Sequence, residues 1–250
     1  MTKVLLLVGL FMVNVLHAQT YGLDDVYEDE NKNIWKESST GRVASGLVYG
    51  IMQNGLSKGF ELVNGKIEGK KVTSFEDGSI FVTCNYANGL KNGNCLWYSW
   101  SDKNDRNQIS RKENFINGLQ VGKNYTYYTE SGNLKTVRRY KDGKRAGKEQ
   151  WFYDSGEDRA TLDYLNGKKN SAVTYFKSGK ISGKRYYSKS QEKGITYFKN
   201  GKIKSEFEII NNNKGSLTTY QKGGSKEYEI SILDDEEFIG FSYINSHKSK

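Results

Sequence analysis

The sequence predicts an all-β fold, an elongated array of stacked antiparallel β-hairpins. The 250 residues include 18 tyrosines and 27 glycines, and aliphatic residues are sparse. Aromatic side chains suit a half-buried pleated surface, and glycine beside polar residues is typical of tight turns. The chain contains no proline, which would remove hydrogen bonds from a continuously paired sheet. Asn-Gly and Asp-Gly dipeptides recur between short aromatic runs, and this is the strongest local signal for a hairpin.

A repeat of about 24 residues explains this composition. Its first phrase is an aromatic or apolar anchor, followed by a turn glycine three positions on and a second small residue four positions later. The anchors are spaced 24, 29, 25, 24 and 23 residues apart and are Leu62, Tyr86, Phe115, Tyr140, Tyr164 and Tyr187. The second phrase is an aromatic pair that runs into another turn glycine, as in Trp151, Phe152 and Gly156. Two strands of about five to seven residues per repeat are expected, and residues 101–107 are interpreted as an insertion at one turn.

The chain divides into four segments. Residues 1–18 have Lys3, an apolar run and then Ala18, a pattern typical of a secretory signal peptide, with Gln19 as the first mature residue. Residues 19–40 are an acidic segment, which is either a disordered lead-in or an arm over the edge of the first hairpin; Trp35 favours docking. Residues 41–224 hold the repeats. Residues 225–250 are expected to form capping strands and a tail, because apolar and polar residues alternate there; the apolar ones are Tyr228, Ile230, Ile232, Phe238, Phe241 and Tyr243.

Charge is unevenly distributed along the mature chain. Residues 19–37 hold two bases against six acids, residues 225–250 hold three against six, and the middle holds 32 against 17. Such a basic body attracts anionic lipid, polysaccharide, nucleic acid or acidic protein without choosing among them. The alternative explanation is that lysines beside turn glycines simply keep strand edges soluble.

The phrase from Tyr140 to Gly156 resembles the MORN repeat. It is most similar to the variant in bacterial proteins labelled YwqK-type antitoxins, and the resemblance covers about residues 41–224. It implies a stacked-hairpin sheet and, through the antitoxin label, a protein partner.

A candidate binding surface combines bases and aromatic residues of the repeats. The aromatic residues either pack across strands or form an outer ladder for a sugar chain, a peptide or a membrane. The candidate residues are Arg138, Arg139, Lys144, Arg145, Lys168, Lys169, Lys184, Arg185, Trp151, Tyr175 and Tyr197.

Catalysis is not expected. The two histidines are His17 in the leader and His247 near the end, so the mature body lacks the base of a Ser-His or Cys-His pair and any histidine-based zinc site. Carboxylates at Asp154, Glu157, Asp158 and Asp163 could in principle serve glycoside hydrolysis, but acids beside glycine are ordinary turn residues. No catalytic residue, metal site or cofactor is predicted.

Cys84 and Cys95 lie symmetrically about one turn, so a regular hairpin sets them opposite each other. Export favours a cross-strand disulfide, and two reduced buried thiols are the alternative.

Together these features predict an exported, non-enzymatic protein that is periplasmic, envelope-associated or extracellular, without a membrane span in its mature chain. The first hypothesis is a surface for a protein partner, including an antitoxin- or immunity-like role implied by the resemblance. The second is an envelope-binding module for anionic lipid or glycan; a nucleic-acid partner is not expected.

Overall fold

A computed structural model describes residues 19–211 and 214–232 of the chain. These residues form 21 strands and one short 3-10 helix, Leu23–Asp25. The strands are β1 (Gln19–Tyr21), β2 (Val26–Asp29), β3 (Ile34–Glu37), β4 (Gly46–Ile51), β5 (Ser57–Val63), β6 (Lys66–Ser74), β7 (Ile80–Ala87), β8 (Leu90–Ser101), β9 (Arg106–Ile116), β10 (Leu119–Gln120), β11 (Gly122–Tyr127), β12 (Leu134–Lys141), β13 (Lys144–Arg145), β14 (Gly147–Phe152), β15 (Asp158–Leu165), β16 (Lys168–Tyr175), β17 (Ile181–Tyr187), β18 (Gln191–Tyr197), β19 (Ile203–Ile210), β20 (Lys214–Tyr220) and β21 (Lys226–Ile232).

The strands belong to two compact units. Among the described residues, unit 1 holds 19–135 and 140–144, and unit 2 holds 136–139, 145–211 and 214–232. In unit 1, β4 to β9 each pair antiparallel with the next strand, and β10 and β11 both pair with β9. In unit 2, β12 pairs with β14, and β14 to β21 form a continuous antiparallel run. The predicted all-β fold of stacked antiparallel hairpins is confirmed.

The Asn-Gly and Asp-Gly dipeptides of the first phrase form the predicted tight turns. In five of these dipeptides the Asn or Asp has φ of 47° to 53°, and the glycine that follows has φ of 74° to 82°. Positive φ at both central positions is the signature of the type I′ turn, whose twist matches that of paired strands. The five turns are Asn64-Gly65, Asn88-Gly89, Asn117-Gly118, Asp142-Gly143 and Asn166-Gly167.

Four of these turns are also hydrogen-bonded to the preceding repeat. The backbone N–H of Gly89 donates to the carbonyl of Ile67 at 3.0 Å, and that of Gly167 donates to the carbonyl of Arg145 at 3.0 Å. In the same way, the N–H of Gly118 donates to the carbonyl of Lys91, and the N–H of Gly143 donates to the carbonyl of Gln120. In all four cases the acceptor lies five residues after the preceding anchor, so the repeats are joined by a periodic backbone link.

The acidic segment forms an arm on the edge of the first repeat hairpin. β1 pairs in parallel with β4, with Gln19 opposite Gly46. Gly46 has φ +148°, and a Cβ there would lie 2.0 Å from the carbonyl oxygen of Gln19, so only glycine permits this approach. The β2–β3 hairpin brings Trp35 against Phe60, with ring centroids 5.1 Å apart, beside the buried cluster of unit 1. Of the two alternatives for this segment, the structure shows the docked arm.

The expected insertion at 101–107 is not a loop. Ser101 still belongs to β8 and pairs with Arg106 of β9, so only residues 102–105 form the turn. The additional residues instead lengthen β8 to 12 residues and β9 to 11. The additional residues thus lie at this hairpin end, as expected, but they form longer strands instead of a loop, because polar residues such as Gln108 and Asn107 pair across the two strands.

Two predicted segments fall partly or wholly outside the described residues. The signal peptide, 1–18, lies outside, as do Phe238, Phe241 and Tyr243 of the tail. Of the terminal segment the structure describes β21, which pairs with β20. Within the described ranges, no helix has both the length and the apolarity needed to cross a bilayer.

Candidate functional site

Strand register sorts the side chains of unit 2 onto two faces. Residues directly opposite in antiparallel strands share a face, and neighbours along a strand alternate. One row runs through Glu149, Leu162, Ala172, Arg185, Gly194 and Phe207. The next runs through Gln150, Thr161, Val173, Lys184, Ile195 and Glu206. We call the side that carries the first row the arginine face and the side that carries the second row the groove face.

This alternation divides the predicted binding surface. The arginine face receives Arg138, Arg145, Lys169, Arg185 and Trp151. The groove face receives Arg139, Lys168, Lys184 and Tyr197. Tyr175 lies at a register shift, and its carbonyl accepts a hydrogen bond from the hydroxyl of Tyr153 at 2.8 Å. Lys144 is exposed and belongs to unit 1. The residues of the predicted binding surface therefore do not share one face, because consecutive bases such as Arg138 and Arg139 point to opposite sides.

On the arginine face, bases lie over the anchor rings of the next repeat. The guanidinium of Arg145 lies 5.3 Å from the ring centroid of Tyr164, and its Nη1 donates to the Tyr164 hydroxyl at 2.7 Å. Lys169 lies 5.7 Å from the ring of Tyr187. Arg145 and Lys169 are each five residues after an anchor and contact the following one, so these cations hold adjacent repeats together.

Glu149 is a buried carboxylate on the arginine face and was not predicted from the sequence. Its side chain is 2% exposed. It accepts a hydrogen bond from Trp151 Nε1 at 2.7 Å and ion-pairs with Arg138 Nε and Arg145 Nη1, each at 3.2 Å. The guanidinium of Arg138 also lies 5.5 Å from the Trp151 ring. A buried carboxylate with two guanidinium partners and an indole donor is held in one geometry, so these bases serve the interior of the unit.

Unit 1 carries a similar arrangement around Glu113. Trp97 Nε1 donates to Glu113 at 2.9 Å, and the Arg111 guanidinium lies 4.3 Å from the Trp97 ring. Because tryptophan, glutamate and arginine meet in both units, the arrangement is a recurrent packing solution. A sequence signal exists in hindsight: Trp97 and Trp151 each have a glutamate and an arginine within reach on the same or a paired strand.

Arg185 is also committed to neighbours. It ion-pairs with Glu192 at 3.1 Å and lies 5.0 Å from the ring of Phe207. The Phe207 ring lies over the backbone of Gly194, where a Cβ would come within 2.1 Å of its Cε1. Glycine at position 194 is thus required for the ring to sit between strand and cation.

The groove face carries a shallow groove of about 550 Å³. Its aromatic and apolar wall is formed by Tyr186, Ile195 and Tyr197, and Tyr186 is 59% exposed. Lys184 on β17 and Lys193 on β18 line it, and two acids line it on β19. The acids are Glu206 and Glu208.

The acids of the groove are positioned by neighbouring side chains. Lys193 Nζ lies 3.3 Å from Glu208, which also accepts a hydrogen bond from Gln191. Tyr220 donates its hydroxyl to Glu206 at 2.8 Å, and this bond, together with burial, raises the pKa of Tyr220 above its ordinary value. Among the described residues, Lys184 makes no ion pair. The groove therefore presents both signs of charge beside exposed aromatic rings.

Most of the residues that line this groove were not predicted from the sequence. Tyr186, Lys193, Glu206 and Glu208 were not singled out, although period-two alternation in β17, β18 and β19 places them on the side of Lys184 and Tyr197. The strand periodicity therefore indicated which face each of these residues occupies. The sequence did not give the register that brings the three strands together.

The four carboxylates considered for hydrolysis are not gathered at one place. Glu157 lies in a turn, where a hydrogen bond from Ser155 keeps its pKa below the ordinary value. Asp158 and Asp163 both belong to β15, and five residues of strand separate them by about 17 Å. Asp163 lies opposite Lys148 and Ser171.

Cys84 and Cys95 are paired in the structure as a disulfide between β7 and β8. Both are buried, and they pack with Phe115 and the partly buried Val82 and Tyr86. The bond closes the hairpin at the centre of unit 1.

Compared with known proteins, the chain matches no family model and no curated protein.

Proposed function

We propose that this chain is an exported, non-enzymatic binding protein that holds a protein partner in the groove of unit 2. The observation that carries the proposal is the composition of the groove. Exposed Tyr186 lines the groove together with Glu206 and with Lys184, which makes no ion pair among the described residues, so aromatic contacts and contacts of both charges are available within one surface. Tyrosine is enriched among residues that dominate protein–protein binding, and charge pairs of both signs set partner choice.

The mixed charge favours a protein over an anionic lipid or glycan. Glu206 and Glu208 lie on β19, next to the strand that carries Lys193, and would repel a polyanion. Across the sheet, Arg138, Arg145 and Arg185 already have carboxylate or ring partners. A surface for anionic lipid needs several bases on one side that have no other partner. Half of the bases predicted for the binding surface already contact a carboxylate or an aromatic ring of this chain.

An antitoxin- or immunity-like role is part of the proposal. It is supported by the resemblance of the repeat phrase to the MORN variant of YwqK-type proteins. A partner bound in the groove would be recognised by side chains, since β14 to β20 each have strand neighbours on both sides in unit 2.

The test is capture of partners from the envelope and secreted fractions of the source organism, followed by affinity measurement on the protein captured. Tyr186→Ser and Lys184→Gln should each weaken the isolated complex by about tenfold or more, the scale of a binding hot spot. Tyr27→Ser, an exposed tyrosine of unit 1, and Lys168→Gln, an exposed base of unit 2, are the matched controls and should change affinity less than about twofold.

Salt distinguishes the two hypotheses. A tyrosine-centred protein complex should persist at about 0.5 M salt, where exposed charges more than a few Å apart are screened. Retention of lipid or glycan that is lost at that salt concentration, with equal loss in Lys168→Gln and Lys184→Gln, would contradict the proposal and favour the envelope-binding function.

A further inference from the structure

Unit 1 contains a second cleft, of about 490 Å³, that the groove function does not use. Three turn regions form it at the same ends of neighbouring strands: the turn after β4, the turn between β6 and β7, and the end of the β8–β9 hairpin. Leu56, Phe75 and Trp100 supply apolar walls, and Glu76 and Asp77 supply carboxylates. Of the described residues that line it, none is lysine or arginine.

Trp100 differs from the tryptophans that pack on the sheets. Trp97 and Trp151 each lie under an arginine guanidinium, at 4.3 and 5.5 Å, and each donates its indole N–H to a glutamate. The Trp100 side chain is 49% exposed. Within the part of the chain that the structure describes, no cation lies over its ring and no acceptor meets its N–H. This chain repeatedly covers exposed ring faces with cations, and Trp100 is left without one.

The surroundings of Trp100 favour positive charge. Hydrogen bonds from Ser79 lower the pKa of Asp77, so its carboxylate is ionised at neutral pH. Glu76 is exposed beside it. Asn107, opposite Trp100 in the β8–β9 ladder, has a buried Oδ1 that accepts no hydrogen bond among the described residues. An acceptor-rich, acidic and aromatic cleft on a strongly basic body is complementary to a cation rich in N–H donors.

We propose that this cleft binds the guanidinium group of an arginine side chain presented by a peptide or protein partner. A guanidinium is planar and stacks on an indole face, and it has five N–H donors for surrounding carboxylate and amide oxygens. A lysine ammonium is compact and more strongly hydrated, so it gains less from the ring. The two carboxylates disfavour anionic ligands. The site is separate from the groove of unit 2, and the two proposals stand or fall independently.

The test uses the purified protein and two capped tripeptides, acetyl-Gly-Arg-Gly-amide and its citrulline counterpart, which has nearly the same shape without the charge. Binding is followed through the indole N–H signals of the four tryptophans in two-dimensional NMR spectra. Trp100→Phe identifies the Trp100 signal. The arginine peptide should shift that signal with millimolar affinity, and the citrulline peptide should bind at least about tenfold more weakly.

Substitutions then test whether the carboxylates of the cleft attract the guanidinium. The double variant Glu76→Gln with Asp77→Asn keeps the Asn side chain as a turn cap, and it should weaken arginine binding about five- to tenfold. Glu30→Gln, an exposed acid elsewhere in unit 1, is the control and should leave binding unchanged.

Three outcomes would overturn the proposal. One is equal shifts from the arginine and citrulline peptides, and another is arginine binding that survives Trp100→Ala with the fold intact. The third is no shift of the Trp100 signal up to about 20 mM peptide. A shift produced by a neutral oligosaccharide and not by arginine would identify a sugar site in its place.

Discussion

The buried carboxylate of Glu149 offers the sharpest test of how unit 2 is held together. Glu149→Ala removes the common partner of Arg138, Arg145 and Trp151. Removing one member of a buried ion pair costs about 3–5 kcal/mol, since the remaining charge keeps its desolvation penalty. The two arginines are 24% and 37% exposed and regain part of their hydration. We therefore expect the low end of that range, about 3 kcal/mol.

The assay is thermal and urea unfolding followed by circular dichroism and tryptophan fluorescence. At about 2–4 °C per kcal/mol for a chain of this size, Glu149→Ala should lower the melting temperature by about 6–12 °C. Glu149→Gln retains an acceptor for the Trp151 N–H and should lose about 1–2 kcal/mol. The matched control is Glu192→Ala, because Glu192 is 30% exposed with Arg185 as its ion-pair partner, and it should lose less than about 1 kcal/mol. Equal losses in Glu149→Ala and Glu192→Ala would refute the role of Glu149 as a buried centre.

Three further predictions concern packing, covalent closure and charge. Gly194→Ala should lower the free energy of unfolding by about 1–3 kcal/mol, since its Cβ would lie 2.1 Å from Cε1 of Phe207, and urea titration measures this. Loss of the Cys84–Cys95 disulfide, which joins residues 11 apart, should lower the free energy of unfolding by about 2–3 kcal/mol. The two cysteines should resist alkylation, measured by mass spectrometry, until the protein is reduced. Burial is the main cause of a lowered pKa at Lys71, and the positive charges of neighbouring lysines lower it further. The folded state therefore disfavours the charged form of the Lys71 side chain. Lys71→Met should therefore be more stable than the parent at pH 7, and the gap should narrow as pH rises through the lowered folded pKa toward 10.5, in urea titrations at several pH values.

Each of these has a control on the same chain. Gly223→Ala adds a Cβ with nothing within 4 Å and should be neutral where Gly194→Ala is not. Lys70→Met changes an exposed neighbour of Lys71 and should show no pH-dependent gap. Immediate alkylation of both cysteines in the untreated protein would contradict the disulfide, and a Lys71→Met variant less stable than the parent at pH 7 would contradict the burial of an unfavourable charge.

The hairpin repeat could be predicted because its signals are local. Asn88-Gly89 needs no distant residue to form a type I′ turn, and the spacing from Tyr140 to Tyr164 sets where the next hairpin begins. The cysteine pairing followed from symmetry about one such turn. Elements of this kind depend on residues a few positions apart, which one sequence displays directly.

The candidate sites depended on contacts between strands, and these were predicted less well. Glu149 looks like one more surface acid until β12, β13 and β14 bring two arginines and an indole to it. The parallel pairing of β1 with β4 joins residues 27 positions apart and has no turn signal to announce it. The division of Arg138 from Arg139 could have been read from strand alternation, because consecutive residues in a strand face opposite sides.

The link from each turn glycine to the carbonyl of the preceding repeat limits how the length of this chain can change. The repeats anchored at Leu62, Tyr86, Phe115 and Tyr140 each carry one donor at the first turn and one acceptor two residues beyond it, as in Gly89 and Lys91. Duplication or deletion of a whole repeat leaves the remaining links intact. Gain or loss of one residue in a strand would shift every later side chain of that strand to the opposite face. Variation in length among proteins of this design should therefore occur in steps of one repeat, and the area of each face of the sheet should change in the same steps.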